Sequence, residues 1–87
     1  MHIPLKVDSF VAVRGDEDEL FYAQIRRVRR IDGYNKYWLR YLDIVINDGQ
    51  YKWYKFPEIN VTIETWEKDI AFPVDAEEVN GLYTFNS

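Results

Sequence analysis

The sequence predicts an all-β fold: a small, highly bent antiparallel barrel of five to six strands with at most one short helical turn. Three observations lead there. Gly15, Gly33, Gly49 and Gly81 divide the chain into apolar runs of strand length. Within several of those runs apolar side chains recur at every second position, the period of a half-buried strand. A long helix has nowhere to sit. The best helical window, Val61 to Lys68, is rich in β-branched residues, and Trp66-Glu67-Lys68 would make one turn at most.

Taken in order, Val7 to Arg14 reads as a first strand, closed by the acidic loop at 15–19. Phe21 to Ile31 follows, with Phe21, Ala23 and Ile25 alternating against Tyr22, Gln24 and Arg26. The next clear apolar side chain is Val28, three residues beyond Ile25 rather than two, which is the slip a β-bulge produces. Asp32-Gly33-Tyr34-Asn35 is turn chemistry, and Tyr37 to Leu42 resumes as a third strand that forms a hairpin with the second. Asn47-Asp48-Gly49 marks another reversal. Tyr51 to Phe56 is a short aromatic strand stopped by Pro57, and Ile59, Val61 and Ile63 alternate again. In the last part Ile70, Phe72 and Val74 share one parity, Asp75-Ala76-Glu77-Glu78 is expected to form a single turn, and a closing strand runs from Val79.

The 87 residues suit one domain, expected over 7–85 behind an N-terminal arm at 1–6. With no cysteine the chain cannot be a disulfide scaffold. Its 47% hydrophobic content, of which aromatics make up 17% of the chain, supplies a core that would otherwise be marginal at this size. No apolar stretch approaches the ~18 residues of a membrane span. Met1-His2-Ile3-Pro4-Leu5-Lys6 has no leader pattern, so a soluble intracellular protein is expected, with no membrane partner.

The net charge of −4 argues, taken whole, against a nucleic-acid backbone as main partner. Its distribution is uneven. Asp16-Glu17-Asp18-Glu19 is wholly acidic, Arg26-Arg27-Val28-Arg29-Arg30 is basic, and between Glu64 and Glu78 only Lys68 stands against six carboxylates. Catalysis lacks its parts: there is no cysteine, the one histidine is the terminal His2, and no glycine-rich phosphate loop occurs. The acidic run has neither the alternating ligands nor the distant bidentate glutamate of a calcium loop. Neither a cofactor nor a metal is expected, and a binding role is what remains.

Two stretches carry a family resemblance. Phe21-Tyr22-Ala23-Gln24-Ile25-Arg26, followed by Tyr37-Trp38-Leu39-Arg40-Tyr41-Leu42-Asp43, resembles the second and third strands of SH3-like chromatin barrels of the Tudor and BAH kinds. The first segment is similar to the Tyr-Tyr-Ala-Gln-Ile-Arg segment of the GATA zinc-finger domain-containing protein family. Asp69-Ile70-Ala71-Phe72-Pro73-Val74, then Val79-Asn80-Gly81-Leu82-Tyr83, is similar to the close of a BAH domain. The resemblance implies a nuclear, non-catalytic module that recognises a basic histone-like tail or another chromatin-complex protein.

It also implies where a methyl-lysine cage would stand. Such a cage surrounds an ammonium with aromatic faces. Tyr22 and Tyr41 match two cage positions of the Tudor pattern, whereas Arg14 or Gly15 and Ile44, at the other two, carry no ring. Trp38, Trp53 and Tyr54 are the substitutes, with Asp43 or Asp48 as the nearby carboxylate. Two alternatives stay open: an adaptor barrel that joins subunits through an aromatic or strand-edge surface and reads no mark, and a nucleic-acid-binding barrel that uses Arg26, Arg27, Arg29, Arg30 and Lys36.

Overall fold

The computed structural model describes residues 5–86. His2 and most of the expected arm therefore lie outside the described residues. The strands are β1 (Phe10–Arg14), β2 (Leu20–Ile31), β3 (Tyr34–Tyr41), β4 (Asp43–Asn47), β5 (Lys52–Lys55), β6 (Ile63–Trp66), β7 (Ile70–Val79) and β8 (Leu82–Asn86), with one 3-10 turn over Glu67–Asp69. All pairings are antiparallel, in the order β4-β5-β8-β7-β1-β2-β3-β6. The all-β class and the single short turn follow the sequence. The strand number does not: there are eight rather than five to six, and the sheet runs from β4 to β6 without closing.

Two hairpins account for the difference. One is β4–β5, where Ile44-Val45-Ile46 supplies a β-branched run just before the Asn47-Asp48-Gly49 reversal. Asp48 fixes that turn, its carboxylate accepting from the backbone N–H groups of Tyr51 at 2.6 Å and Gln50 at 3.0 Å. The other is β7–β8. Asp75 to Glu78 is not a helical turn but the second half of β7, paired with Asn86 to Tyr83. Asn80 and Gly81 take φ of 52° and 83°, the left-handed pair of a two-residue hairpin turn, and that geometry requires extended strands on both sides. Exposed acidic residues are tolerated on such a strand because its outer face is wet.

Other boundaries shift for local reasons. Asp8 has φ of 75°, so the first strand begins at Phe10 rather than Val7. The turn at Asp32-Gly33, with φ of 51° and 84°, is only two residues long, and β3 starts at Tyr34. Of Ile59, Val61 and Ile63, only Ile63 enters a strand, β6.

The bulge in β2 is present. Ile25 pairs with Leu39 and Arg27 with Trp38, leaving Arg26 as the extra residue. Before it, Ala23 and Ile25 face inward; after it, Val28 does, opposite Tyr37. Without the bulge Val28 would point to the wrong face. The inner face is an aliphatic core of Val11, Val13, Ala23, Ile25, Tyr37 and Leu39, with Leu5, Val28, Tyr41 and Ile70 packed on it. The backbone N–H of Leu5 donates to the Tyr37 hydroxyl at 3.3 Å, which anchors the chain entering β1. Burial raises the Tyr37 phenol above its ordinary value.

β7 joins the two halves of the molecule. Its residues Ile70 to Val74 pair with β1, while Asp75 to Val79 pair with β8. The β5–β8 half lies against the outer face of β1 and β2 through a second, aromatic cluster. Among the described residues no helix is long and apolar enough to cross a membrane.

Candidate functional site

The aromatic cluster is built from alternate positions. Phe10 and Tyr22 stand opposite in parity to Val11 and Ala23, and so leave the aliphatic core for the outer face. Tyr54, Phe56, Tyr83 and Phe85 meet them from β5, the segment after it and β8. Tyr22 stacks on Phe85 with ring centroids 4.5 Å apart and planes within 8°. Tyr54 meets Tyr22 edge-on at 5.1 Å and Phe85 at 5.2 Å. Phe10 touches Tyr83 and Phe85, each at 5.4 Å. Burial, then the neighbouring Tyr22, raises the Tyr54 phenol above its ordinary value.

The six cage candidates are thus dispersed. Tyr22 and Tyr54 come together, with Phe85 as a third ring that sequence reasoning missed. A cleft opens over them, lined also by Tyr51, Lys52 and Asn86. Tyr41 lies on the inner face, edge-on to Phe21 at 6.5 Å. Trp38 is on the opposite face of β3 from Tyr41. Trp53 faces away from Tyr54 and lines a shallow apolar groove with Ile46, Val79 and Leu82. Asp43 opens β4 opposite Lys55. No signal within β8 could have marked Phe85 as the partner of Tyr22, because the packing of one layer on another, across more than sixty residues of sequence, decides it.

Arg40 ties the two halves together. Its guanidinium lies over Phe56 with Cζ 4.6 Å from the ring centroid, and Nη2 donates to the Pro57 carbonyl at 2.8 Å. The Nε of Arg40 is buried with no hydrogen-bond partner among the described residues.

The basic candidates occupy a different region. Register places Arg27 beside Trp38 and Glu64, and Arg29 beside Lys36 and Trp66, as two rows across the outer face of β2, β3 and β6. Arg27 stacks over Trp38 at 4.8 Å, and the Lys36 ammonium lies 5.0 Å from the Trp66 ring and 5.8 Å from Trp38. Lys36 also pairs with Glu64 at 2.8 Å, holding that carboxyl below its ordinary range, first by the hydrogen bond and then by charge. Arg30 is on the inner side opposite Asn35, and Arg26 at the bulge donates to Gln24 Oε1 at 3.2 Å. Tyr34, Trp66, Glu67, Lys68 and Ile70 line a cleft of about 560 Å³ at the end of this face.

The two free edges of the sheet are the third notable region. On β4, Ile44, Val45 and Ile46 are 48%, 50% and 44% exposed. At the start of β6 and in the segment before it, Ile63, Val61 and Ile59 are all exposed. Among the described residues no group of three metal-ligating side chains comes together. Neither a protein-family model, nor a curated protein, nor a solved structure matches this chain.

Proposed function

We propose that this chain is a non-enzymatic adaptor module of a nuclear, chromatin-associated assembly, docking an extended apolar segment of a partner protein along the β4 edge. One observation carries the reading. β4 is a terminal strand whose backbone groups on one side have no ladder partner, and Ile44, Val45 and Ile46 protrude from it half-exposed. Natural edges are usually blunted by lysine, proline or a covering loop. β4 has no lysine or proline within it, and only the bulge between Ile44 and Ile46 disturbs its line. An incoming strand would gain main-chain hydrogen bonds there, and the adjoining groove of Trp53, Val79 and Leu82 would receive its side chains.

The SH3-like, BAH- or Tudor-related reading is supported by the half β7-β1-β2-β3-β6. Its five strands are antiparallel neighbours, and the 3-10 turn joins the two outermost, β6 and β7. In that reading the β4–β5 hairpin is an insertion between the third and fourth strands.

The adaptor is favoured over a mark-reading cage because Tyr22 and Phe85 spend ring faces on each other. A second reading, a basic histone-like tail lying in the cleft over Tyr22 and Tyr54, is supported by the opening of that cleft beside the Asp48-held turn. Co-purification from nuclear extract, repeated with Ile44→Glu and Ile46→Glu, separates them. The adaptor predicts a defined partner lost in both variants and indifferent to lysine methylation. Retention of partners by both variants, with a preference for trimethylated over unmodified peptide, overturns it in favour of the cleft.

A further inference from the structure

The basic run that the adaptor leaves unused has a structural setting of its own. Arg26, Arg27, Arg29 and Arg30 are all exposed, and the one ion pair among the described residues is Lys36 to Glu64, so these guanidinium groups have no carboxylate partner. The acidic loop at 16–19 lies at the opposite end of β2 from Arg29 and Arg30: at about 3.3 Å per residue the eight residues from Glu19 to Arg27 span at most about 26 Å, and the ten to Arg29 at most about 33 Å, which is about two to three Debye lengths at 0.1 M salt. Of the nearer carboxylates, Glu64 is paired with Lys36, and Glu67 accepts a hydrogen bond from the side-chain amide of Asn35 at 3.4 Å.

Rings interleave with these cations. Along β3, Tyr34, Lys36 and Trp38 project on the same face, and Trp66 stands beside Lys36 from β6. Tyr34 is 68% and Trp66 39% exposed, and the 560 Å³ cleft opens between them. Arg27 and Arg29 run alongside at the two-residue strand repeat, about 6.6 Å.

We propose that the outer face of β2, β3 and β6 binds a single-stranded nucleic acid, with bases stacked on Trp66 and Tyr34 and phosphates held by Arg27, Arg29 and Lys36. Each half of this pattern excludes a competitor. An acidic peptide would satisfy the arginines but brings flat faces to the rings only where it carries an aromatic side chain, not at every residue. A duplex keeps its base faces stacked inside and offers only edges. An unpaired strand presents both faces and phosphates at once, and reads a ring-and-cation surface without sequence preference. Lys36 acts as an internal placeholder on Trp66 that the ligand displaces, while Arg27 keeps its place over Trp38. Glu64 is therefore a competitor for Lys36, which yields an expectation no merely structural role shares: neutralising it should strengthen binding.

The test uses fluorescein-labelled twelve-residue oligo(dT) and oligo(U), with polyglutamate and a twelve-base-pair duplex as comparison ligands, followed by anisotropy and by tryptophan quenching. Binding in the micromolar range at low salt is expected, weakening steeply as salt rises. The Arg27→Ala/Arg29→Ala pair should lower the slope of log affinity against log salt by about 1.4, since each phosphate on a single strand accounts for about 0.7. Trp66→Ala should cost about tenfold with the slope unchanged, and Trp66→Phe should recover most of it. Glu64→Gln should tighten binding and steepen the slope. Circular dichroism and thermal melts check that each variant folds. No oligonucleotide binding at low salt overturns the proposal, as does duplex or polyglutamate binding of equal strength that is unaffected by Trp66→Ala.

Discussion

Leu39 and Arg40 are chain neighbours on β3, and they belong to opposite faces of the same strands. Leu39 is fully buried among Val11, Val13, Ala23, Ile25 and Tyr37. Arg40 lies on the other face, stacked on Phe56 and bound to the Pro57 carbonyl. Inside, mostly aliphatic side chains fill the core by shape, with the Tyr37 hydroxyl there accepting a hydrogen bond from the chain entering β1. Outside, rings and guanidinium groups hold a second layer of strands by directional contacts, and leave part of their surface wet. The period of two along a strand is enough to write both chemistries into one stretch of sequence, and only the outer one has unused capacity for a ligand.

The sharpest way to break this contrast is to truncate each neighbour in turn. Leu39→Ala removes packing from a site at 0% exposure and should cost about 3 kcal/mol, within the usual range for a fully buried leucine. For a chain of this length that is a large share of the total stability, so chemical denaturation should shift to a much lower midpoint with little change in slope. Arg40→Ala should cost less, about 2 kcal/mol, through the lost charge-assisted hydrogen bond and ring contact. Its signature should also be local: amides of β5 and the segment through Pro57 should exchange faster while those of β1 to β3 stay protected. Equal, global destabilisation by both substitutions would mean that the two layers are one cooperative core.

What the sequence made legible divides along the same line. The inner face announced itself through Ala23 and Ile25, and the displaced Val28 even located the bulge, because local periodicity and core burial agree there, whereas Phe21, of the same parity, stays half-exposed beyond the core. The outer face did not. Trp38, Tyr41, Trp53 and Tyr54 look equivalent as aromatic β-formers, yet register and parity send them to different regions. Tyr22 finds Phe85, and Lys36 finds Trp66, through pairings that no local pattern encodes. Asp75 to Glu78 misled for a related reason. Its acidic run resembles a capped turn, but the Asn80-Gly81 hairpin and the ladder to β8 override that local preference.

That hairpin offers a smaller test of how the outer layer is held. Gly81 sits at φ of 83° with open space where a Cβ would stand, so Gly81→Ala would meet no clash. The cost is conformational alone, about 1 kcal/mol for an alanine in the left-handed region. Because the hairpin belongs to the β5–β8 layer, the loss should appear as weakened protection of β8 and the end of β7, with the aliphatic core unchanged. A Gly81→Ala variant as stable as the parent, with an unchanged amide pattern in β8, would show that this turn is free to relax.

The smallest expected effect concerns the ion pair on the ring-and-cation face. Lys36 holds the Glu64 carboxyl below its ordinary value, so in the folded protein this group stays ionised to lower pH than in the unfolded chain. Its contribution is therefore complete above the ordinary glutamate range, near pH 4.5, and is lost as pH falls through the depressed folded value. Both side chains reach solvent, Glu64 most of all, and salt screens what remains. The expected result is a slightly shallower loss of melting temperature between pH 5 and pH 3 for Glu64→Gln than for the parent at low salt, disappearing in about 1 M salt, where the Debye length is only about 3 Å. Indistinguishable acid profiles at low salt would remove the pair from the stability of the fold. They would leave Glu64 with only the competition for Lys36 that the oligonucleotide measurements read.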